Sequence, residues 1–315
     1  MVNSLKVKDD VTMIKFGKYY KSNNKTLEPI EWDILYKDNI KTLLLSKYVI
    51  DAQAWDKLPF DQYMARYFKL AETYNTTEQI PITWSCCTLR EWLNKDFYNL
   101  AFNSNERKNI LLTENFTKDE KRLNKINMFD NSAVVLGGPN SKDHVFLLST
   151  DEILKYFTKG EMLPLAGPDT AFRMLKLTSQ ATPYATNKGL YFADNNDKNS
   201  TMWWLRSPGG AAGMAGTIIM GNILYYGGEK SDDVTVGVRP AIWVKSEALL
   251  SEEEKKEKLE KERKQREQEE RLRKERQYRE LQQRRRNMNL CQHCGGEFKG
   301  LFKKVCKSCN LQKDY

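Results

Sequence analysis

WWLRSPG at residues 203–209 and GVRPAIW at residues 237–243 are two arginine-containing segments that bracket an uncharged stretch. No charged residue occurs from 207 to 228, although charged residues make up 30% of the chain. Seven of its 17 glycines fall between 209 and 228. Such a stretch, held between aromatic ends, is typical of a loop or hairpin that presents a recognition surface. We expect residues 209–231 to form that surface.

The side chains of this region divide into two predicted roles. A two-residue turn at Gly221-Asn222, which needs positive φ, predicts a hairpin with strands at 217–220 and 223–226. One face of such a hairpin can pack inward and leave the other as a binding patch. The candidate ligand contacts are Met214, Thr217, Ile219, Asn222, Leu224 and Tyr226. The predicted structural frame is Trp203, Trp204, Arg206, Arg239 and Trp243.

The remainder of residues 1–246 mixes short β-type runs with capped helical patterns, which predicts an α+β domain. Strands are expected at 11–16, 30–35, 42–46, 145–149 and 241–244. Helices are expected at 88–93, 106–112 and 151–157, capped by Ser85, Ser104 and Thr150 respectively.

Residues 247–286 have the composition of a helix that is exposed on every side. They hold 15 Lys or Arg and 12 Asp or Glu, without glycine or proline. Ten of the eleven glutamates from 252 to 280 have a basic residue four positions later, and each such pair adds roughly 0.2–0.5 kcal/mol to an isolated helix. The apolar residues form no regular seam, so a solvated spacer helix about 60 Å long is favoured over a coiled coil.

The last segment, 287–315, contains two CxxC knuckles with eleven residues between them. Two such pairs can complete a tetrahedral thiolate shell, which predicts a structural Zn²⁺ ribbon with the ligands Cys291, Cys294, Cys306 and Cys309. Phe298, Leu301 and Phe302 would form its small core. Free thiols, a redox pair and disulfides are the alternatives for these cysteines.

Charge and hydropathy restrict the partners and the location. The net charge of +9 divides equally among 1–246, 247–286 and 287–315. No region is therefore basic enough to be a strong indication of nucleic-acid binding. The N-terminus carries no apolar run typical of a secretory signal, and the uncharged stretch is too rich in glycine for a spanning helix. We expect a soluble, cytoplasmic protein in a reducing compartment, with no membrane partner.

Few residues are suited to catalysis. The chain has two histidines, and His144 precedes an expected strand, where a structural role is favoured. Cys86 and Cys87 lie at the mouth of a helix, where a thiol pKa can fall, but no base lies nearby in sequence. Buried structural cysteines are therefore favoured over a nucleophile.

Several ordered motifs, together with the two arginine segments, carry a resemblance to a bacterial family. They are PIEW at 29–32, LLLSKY at 43–48, LREWLN at 89–94 with Phe97-Tyr98, and VFLLS at 145–149. Over nearly all of 11–245 the chain resembles domain-of-unknown-function family 6273. That family is similar to the C-type lectin-like fold of formylglycine-generating enzymes and of variable proteins diversified by retroelements.

The resemblance implies a C-type lectin-like domain in which residues 209–236 carry the exposed variable surface. The chain lacks an evident cysteine pair of the formylglycine-generating enzymes and the sugar-binding motifs of calcium-dependent lectins. Neither that oxidase activity nor sugar binding therefore follows from the fold.

The expected function is non-enzymatic recognition, with a protein or peptide as the ligand and the ribbon available for a second interaction. One alternative is an enzyme that uses Cys86 or Cys87. Another is a nucleic-acid adaptor that contacts phosphate through the ribbon lysines, which are Lys299, Lys303, Lys304 and Lys307.

Overall fold

The computed structural model describes most of the chain in two units. The described residues are 14–57, 83–118, 120–121, 134–135, 137–157, 177–209, 213–223, 228–299, 302 and 304–312, without the side chains of 120–121, 134–135 and 222. The chain divides into Met1–Leu249, here the first unit, and Leu250–Tyr315, here the second unit. No helix in the described parts is long and apolar enough to cross a membrane.

The described part of the first unit contains fourteen strands, several of them very short. They are β1 (Ile14–Tyr20), β2 (Leu27–Lys37), β3 (Lys41–Ser46), β4 (Asp51–Ala52), β5 (Thr113–Asn115), β6 (Glu120–Lys121), β7 (Val134–Val135), β8 (Ser141–Asp143), β9 (Met202–Pro208), β10 (Met214–Ile219), β11 (Asn222–Ile223), β12 (Glu229–Lys230), β13 (Gly237–Val238) and β14 (Ala241–Lys245).

Five helices lie between these strands in the described residues. They are α1 (Thr88–Trp92), α2 (Tyr98–Ala101), α3 (Ser104–Arg107), α4 (Thr150–Phe157) and α5 (Pro183–Asn187). A π-helical turn at Leu93–Phe97 joins α1 to α2, and 3₁₀ turns occur at Trp84–Cys86 and Ser246–Leu249. The first unit is thus the mixed α+β structure that the sequence predicts.

A four-stranded antiparallel sheet has the order β1-β2-β3-β14. The leucine run of β3 is buried on both faces, and Leu44 lies opposite Ile242 of β14. The strands predicted at 30–35, 42–46 and 241–244 are confirmed. The strand predicted at 11–16 is present from Ile14, and residues 11–13 lie outside the described part.

A second sheet has the order β11-β10-β9-β13-β4, and β12 also pairs with β10. Every residue of β9, which is most of the first arginine segment, is buried. Its parallel partner β13 contributes Gly237, where a Cβ would lie 2.8 Å from Met202 O of β9. Glycine therefore lets the two arginine segments meet inside the domain.

The turn of the β10–β11 hairpin differs by one residue from the prediction. Ile219 pairs with Asn222, so the two central residues are Met220 and Gly221, with φ of 49° and 76°. The predicted turn at Gly221-Asn222 is therefore wrong, and Asn222 belongs to β11. Both central residues of a type I′ turn need positive φ, and here methionine adopts it before the glycine.

Two predicted elements are wrong, each for its own reason. The helix expected at 106–112 ends at Arg107, because the Leu111 amide donates to Trp243 O at 2.8 Å and the chain turns extended. Residues 145–149 form no regular strand, although Phe146 bridges Ala241. Their apolar run reflects complete or nearly complete burial, which does not by itself distinguish a strand.

The residues that cap the helices lie one or two positions away from the predicted N-caps. Cys87 caps α1, since its sulfur accepts from the Arg90 amide, and Asn103 forms a capping box with Glu106 at α3. At α4 the Ser149 hydroxyl accepts from the Glu152 amide at 3.2 Å. The caps predicted at Ser85, Ser104 and Thr150 are therefore corrected to neighbouring residues, while the helices at 88 and 150 do form.

The second unit begins with a long helix, α6 (Glu252–Asn287), which has no buried residue. At 36 residues it is about 54 Å long. Ser251 and Glu254 form the predicted capping box, and Arg284, Arg285 and Arg286 occupy the last turn. The strands β15 (Phe298–Lys299) and β16 (Val305–Cys306) follow as an antiparallel pair.

Candidate functional site

Arg206 is buried in the first arginine segment and joins three parts of the first unit. Its Nη1 donates to Leu147 O at 2.8 Å and to the Glu152 carboxylate, and its Nη2 donates to Phe116 O at 3.1 Å. Its guanidinium also lies 5.7 Å from the centre of the Phe146 ring. These contacts hold β9 to the loops beside it.

Arg239 of the second arginine segment is also buried, and its side chain also bonds to other parts of the first unit. Its Nε donates to Ser46 O at 2.7 Å, and its Nη2 donates to Asp33 Oδ2 at 3.1 Å. Burial lowers the pKa of the guanidinium to about 10, while Asp33 opposes the shift, so the group stays charged at neutral pH. Arg239 therefore ties this segment to β2 and β3.

The tryptophans of the predicted frame are largely enclosed. Trp203 and Trp204 are completely buried, and Trp204 Nε1 donates to Gln53 O at 2.9 Å. Trp243 is half-buried, with the Lys41 ammonium 4.6 Å from the centre of its ring. The structure thus places four frame residues in the interior, where they cannot contact a surface ligand, and Trp243 at its edge.

The three predicted ligand contacts whose side chains are described differ in burial. Met214 and Ile219 are half-buried, but Thr217 is completely buried on β10. Thr217 therefore does not lie on the exposed patch where the sequence prediction put it, because residues 215–218 are all buried and both faces of β10 are covered there. The side chain of Asn222 and the residues Leu224 and Tyr226 lie outside the described part.

Met220 is the exposed apolar residue at the hairpin turn, with 49% of its surface accessible. The sequence prediction did not select it as a contact. The sequence contains a feature that could have identified Met220, because the residue before the glycine of a two-residue turn projects from the end of a hairpin.

The adjacent cysteines contact backbone groups. The Cys86 thiol donates to Thr83 O at 3.3 Å, and Cys87 Sγ accepts from the Arg90 amide at 3.4 Å. Burial raises the pKa of the Cys87 thiol well above its usual range, although the Arg90 amide opposes the shift. At neutral pH Cys87 is therefore a protonated thiol in a closed environment, which is unfavourable for a nucleophile.

The region around His144 is packed against the interior of the first unit. The His144 ring stacks on Tyr98 with 4.7 Å between ring centres, and burial lowers its pKa. The neighbouring Asp143 is buried and accepts from Trp84 Nε1 at 3.0 Å and Arg90 Nε at 2.6 Å. This carboxylate organises the surrounding loops rather than an open pocket.

In the second unit, the four predicted metal ligands converge. Cys291, Cys294, Cys306 and Cys309 have sulfur atoms within 4.8 Å of one another. The separations are 3.6 Å between Cys291 and Cys309 and 3.4 Å between Cys294 and Cys306, and all four thiols are free. A tetrahedral shell with Zn–S bonds of about 2.3 Å would separate its sulfurs by about 3.8 Å. The cluster could therefore hold one metal ion.

Backbone geometry around these sulfurs favours thiolates. The Cys294 amide is the main cause that lowers the pKa of Cys291, and the Cys309 amide is the main cause that lowers the pKa of Cys306 to about 6. The pKa of Cys309 rises to about 12, because burial and the other three thiols outweigh the Leu311 amide. A bound cation would favour the deprotonated form of all four cysteines.

Gly295 and Asn310 follow the two knuckles with φ of 78° and 56°, in the left-handed conformation that these residue types tolerate. Phe298 is buried beneath the cysteines. Phe302, predicted to lie in the same core, is 83% exposed, so that assignment is wrong, and Leu301 lies outside the described residues.

A family model described as "Domain of unknown function (DUF6273)" matches residues 39–246. The chain belongs to the DUF6273 family. Neither the search of curated proteins nor the search of solved structures found a match. The DUF6273 match includes both arginine segments and the hairpin between them, whereas α6 and the cysteine cluster lie beyond it.

The DUF6273 domain therefore brings the two arginine segments together from positions 34 residues apart, but as interior structure. Along the hairpin, Met214 and Ile219 are half-buried, and Met220 at the turn is exposed. The second unit supplies four cysteines that lie close enough together to bind one metal ion.

Proposed function

We propose that this DUF6273 chain is a non-enzymatic recognition protein whose β10–β11 hairpin contacts a protein or peptide partner. The observation that carries the proposal is the contrast in exposure within one continuous stretch. The arginine segments on either side are buried, whereas Met220 at the hairpin turn is 49% exposed. A rigid interior that supports an exposed apolar turn is a suitable arrangement for recognition.

The C-type lectin-like fold is part of the proposal. It is supported by the position of the hairpin, which occupies the stretch that carries the variable surface in the proteins that this family resembles. The contacts of Arg206 and Arg239 support a scaffold role for the residues around it. The closed environment of Cys87 opposes the alternative of a cysteine-dependent enzyme.

We also propose that the second unit carries a structural zinc ribbon. Four thiolates fill every place of a tetrahedral shell, which leaves no open position for substrate, and Zn²⁺ prefers such a shell. The small module buries little apolar surface, so metal binding would supply much of its folding free energy. Elemental analysis of the purified full chain tests this, with one Zn²⁺ per chain expected and loss of that metal in Cys306→Ser.

A nucleic-acid adaptor is the second candidate, favoured by the exposed Phe302, whose ring centre lies 5.9 Å from the Lys304 ammonium. An exposed aromatic ring beside a cation can stack on a base. Lys307, however, pairs with Glu297 at 2.8 Å, which reduces the charge available to phosphate. Binding of single-stranded oligonucleotides that weakens steeply with salt and is lost in Phe302→Ala would support this candidate.

The recognition proposal is tested by Met220→Asn, because asparagine tolerates positive φ and keeps the turn while removing its apolar side chain. Ile40→Asn is the matched control, since Ile40 is 77% exposed at another turn of the first unit. We expect cross-linking from host cells to recover a partner with the wild type and with Ile40→Asn, but not with Met220→Asn. Equal recovery from all three proteins would remove the hairpin from the proposal.

A further inference from the structure

The end of α6 leads directly into the first knuckle through a Schellman motif. The Asn289 amide donates to Arg286 O at 3.0 Å, and the Leu290 amide donates to Arg285 O at 2.8 Å. Asn289 has the left-handed conformation that this motif needs, with φ of 57°. The chain therefore reverses sharply, and the knuckle follows within a few residues of the last helical turn.

Arg285 spans this reversal with its side chain. Its Nη1 donates to two successive carbonyl groups of the first knuckle, Gln292 O at 3.0 Å and His293 O at 2.6 Å. Arg285 is half-buried, whereas Arg284 and Arg286 in the same turn are exposed. One arginine of the basic helix end is thus committed to the knuckle.

The two carbonyl groups determine where the next two amides point. In a trans peptide unit the C=O of one residue and the N–H of the next lie on opposite sides. Holding Gln292 O and His293 O therefore directs the amides of His293 and Cys294 the other way. Both amides donate to the sulfur of Cys291.

Gly295 provides the space for this contact. A Cβ at Gly295 would lie 3.1 Å from Arg285 Nε, so the missing side chain lets the guanidinium lie close against the knuckle. The positive φ of Gly295 also turns its amide back to Cys291 O at 2.8 Å. One glycine serves both the turn and the approach of the arginine.

Within the described part of the chain, the second knuckle differs from the first. The amides of Ser308 and Cys309 donate to Cys306 Sγ in the same way. Among the described residues, however, no side chain donates to the carbonyl groups of Lys307 and Ser308, which are the equivalents of Gln292 and His293. The helix therefore supports one half of the thiolate cluster only.

We propose that Arg285 is a positioning residue for the metal centre, which orients the knuckle amides toward Cys291 and so links α6 to metal binding. The inference rests on the proposed metal site. Groups that orient metal ligands from outside the coordination shell typically change metal affinity by about 10–100-fold when they are removed.

The test uses the full chain with Zn²⁺, in competition with a chromophoric chelator, for the wild type, Arg285→Gln, Arg285→Lys and the control Arg284→Gln. We expect Arg285→Gln to weaken Zn²⁺ binding by about tenfold or more, Arg285→Lys to recover part of the loss, and Arg284→Gln to match the wild type. If the wild type binds no Zn²⁺, the metal site itself is wrong. If it binds and Arg285→Gln equals Arg284→Gln, the metal site stands and the inference is overturned.

Amide hydrogen exchange of the Zn²⁺-loaded proteins separates positioning from general destabilisation. In Arg285→Gln we expect faster exchange at His293 and Cys294, with Ser308 and Cys309 unchanged. Equal acceleration at both knuckles would mean that Arg285 only stabilises the fold of the second unit, and would contradict the proposal. The second knuckle is thus a control within the same molecule.

Discussion

The guanidinium of Arg239 lies 5.1 Å from the centre of the Trp203 ring, so the two arginine segments meet face to face inside the first unit. Because Trp203 is completely buried and Arg239 is 2% exposed, this contact is shielded from solvent. A cation over an indole ring is worth roughly 2 kcal/mol when it is desolvated. The two segments that frame the hairpin therefore stabilise each other.

Replacing Arg239 should destabilise the domain strongly. Arg239→Gln removes the contact with Trp203 and the hydrogen bonds to Ser46 and Asp33, so we expect a loss of about 2–4 kcal/mol in the free energy of unfolding. Chemical denaturation measures this directly. Lys18→Gln, at an exposed position of β1, is the control and should change stability by no more than about 0.5 kcal/mol. A similarly small effect for Arg239→Gln would contradict the mutual stabilisation of the two arginine segments.

Thr217 gives the opposite expectation. Its hydroxyl is buried and has no hydrogen-bond partner among the described residues. Replacing it by a methyl group of similar shape removes a polar group that is costly to bury, so Thr217→Val should be neutral or stabilising by about 1 kcal/mol. Thermal unfolding provides the measurement. Destabilisation by more than about 1 kcal/mol would mean that the Thr217 hydroxyl has a hydrogen-bond partner in the folded protein.

Cys87 should resist alkylation in the folded protein. Its raised pKa means that the reactive thiolate forms only at a pH above the usual thiol range, and its burial excludes the reagent. Mass spectrometry after treatment with iodoacetamide should find Cys87 unmodified from pH 7 to about 9, and modified once the chain is denatured. Rapid labelling of folded Cys87 at neutral pH would revive the enzyme alternative.

The approach of the two knuckles should depend on Gly296. A Cβ there would lie 2.4 Å from Ser308 Oγ and 3.1 Å from Cys306 Sγ. Gly296→Ala should therefore weaken Zn²⁺ binding by about tenfold or more, and adding Ser308→Ala should recover part of the loss by removing the closest atom. Chelator competition compares the three proteins. No loss in Gly296→Ala would contradict the packing of the knuckles.

Local chemistry explains which elements could be predicted from the sequence. The helix α6 and its capping box follow from neighbouring residues, and the four cysteines converge because each CxxC spacing is itself local. The alternating and leucine-rich runs of β2, β3 and β14 were also sufficient to predict strands.

The errors occur where distant residues decide the conformation. Ile110 and Leu111 leave a helical pattern because β14 offers them backbone partners. The hairpin register differs by one residue from the prediction because Met220 adopts positive φ. Thr217 is buried because the rest of the fold covers both faces of β10 at residues 215–218. The role of Arg285 depends on a chain reversal, whereas its sequence context indicates only a basic helix end.

We propose that the exposed hairpin turn binds the partner. Once cross-linking has recovered that partner, its affinity for the full chain can be measured directly. Isothermal titration would compare the wild type, Met220→Asn and Ile40→Asn. We expect Met220→Asn to weaken binding of the partner by about 30-fold, because it removes a central contact worth about 2 kcal/mol. Ile40→Asn should leave Kd unchanged. Identical Kd values for the wild type and Met220→Asn would contradict the proposal.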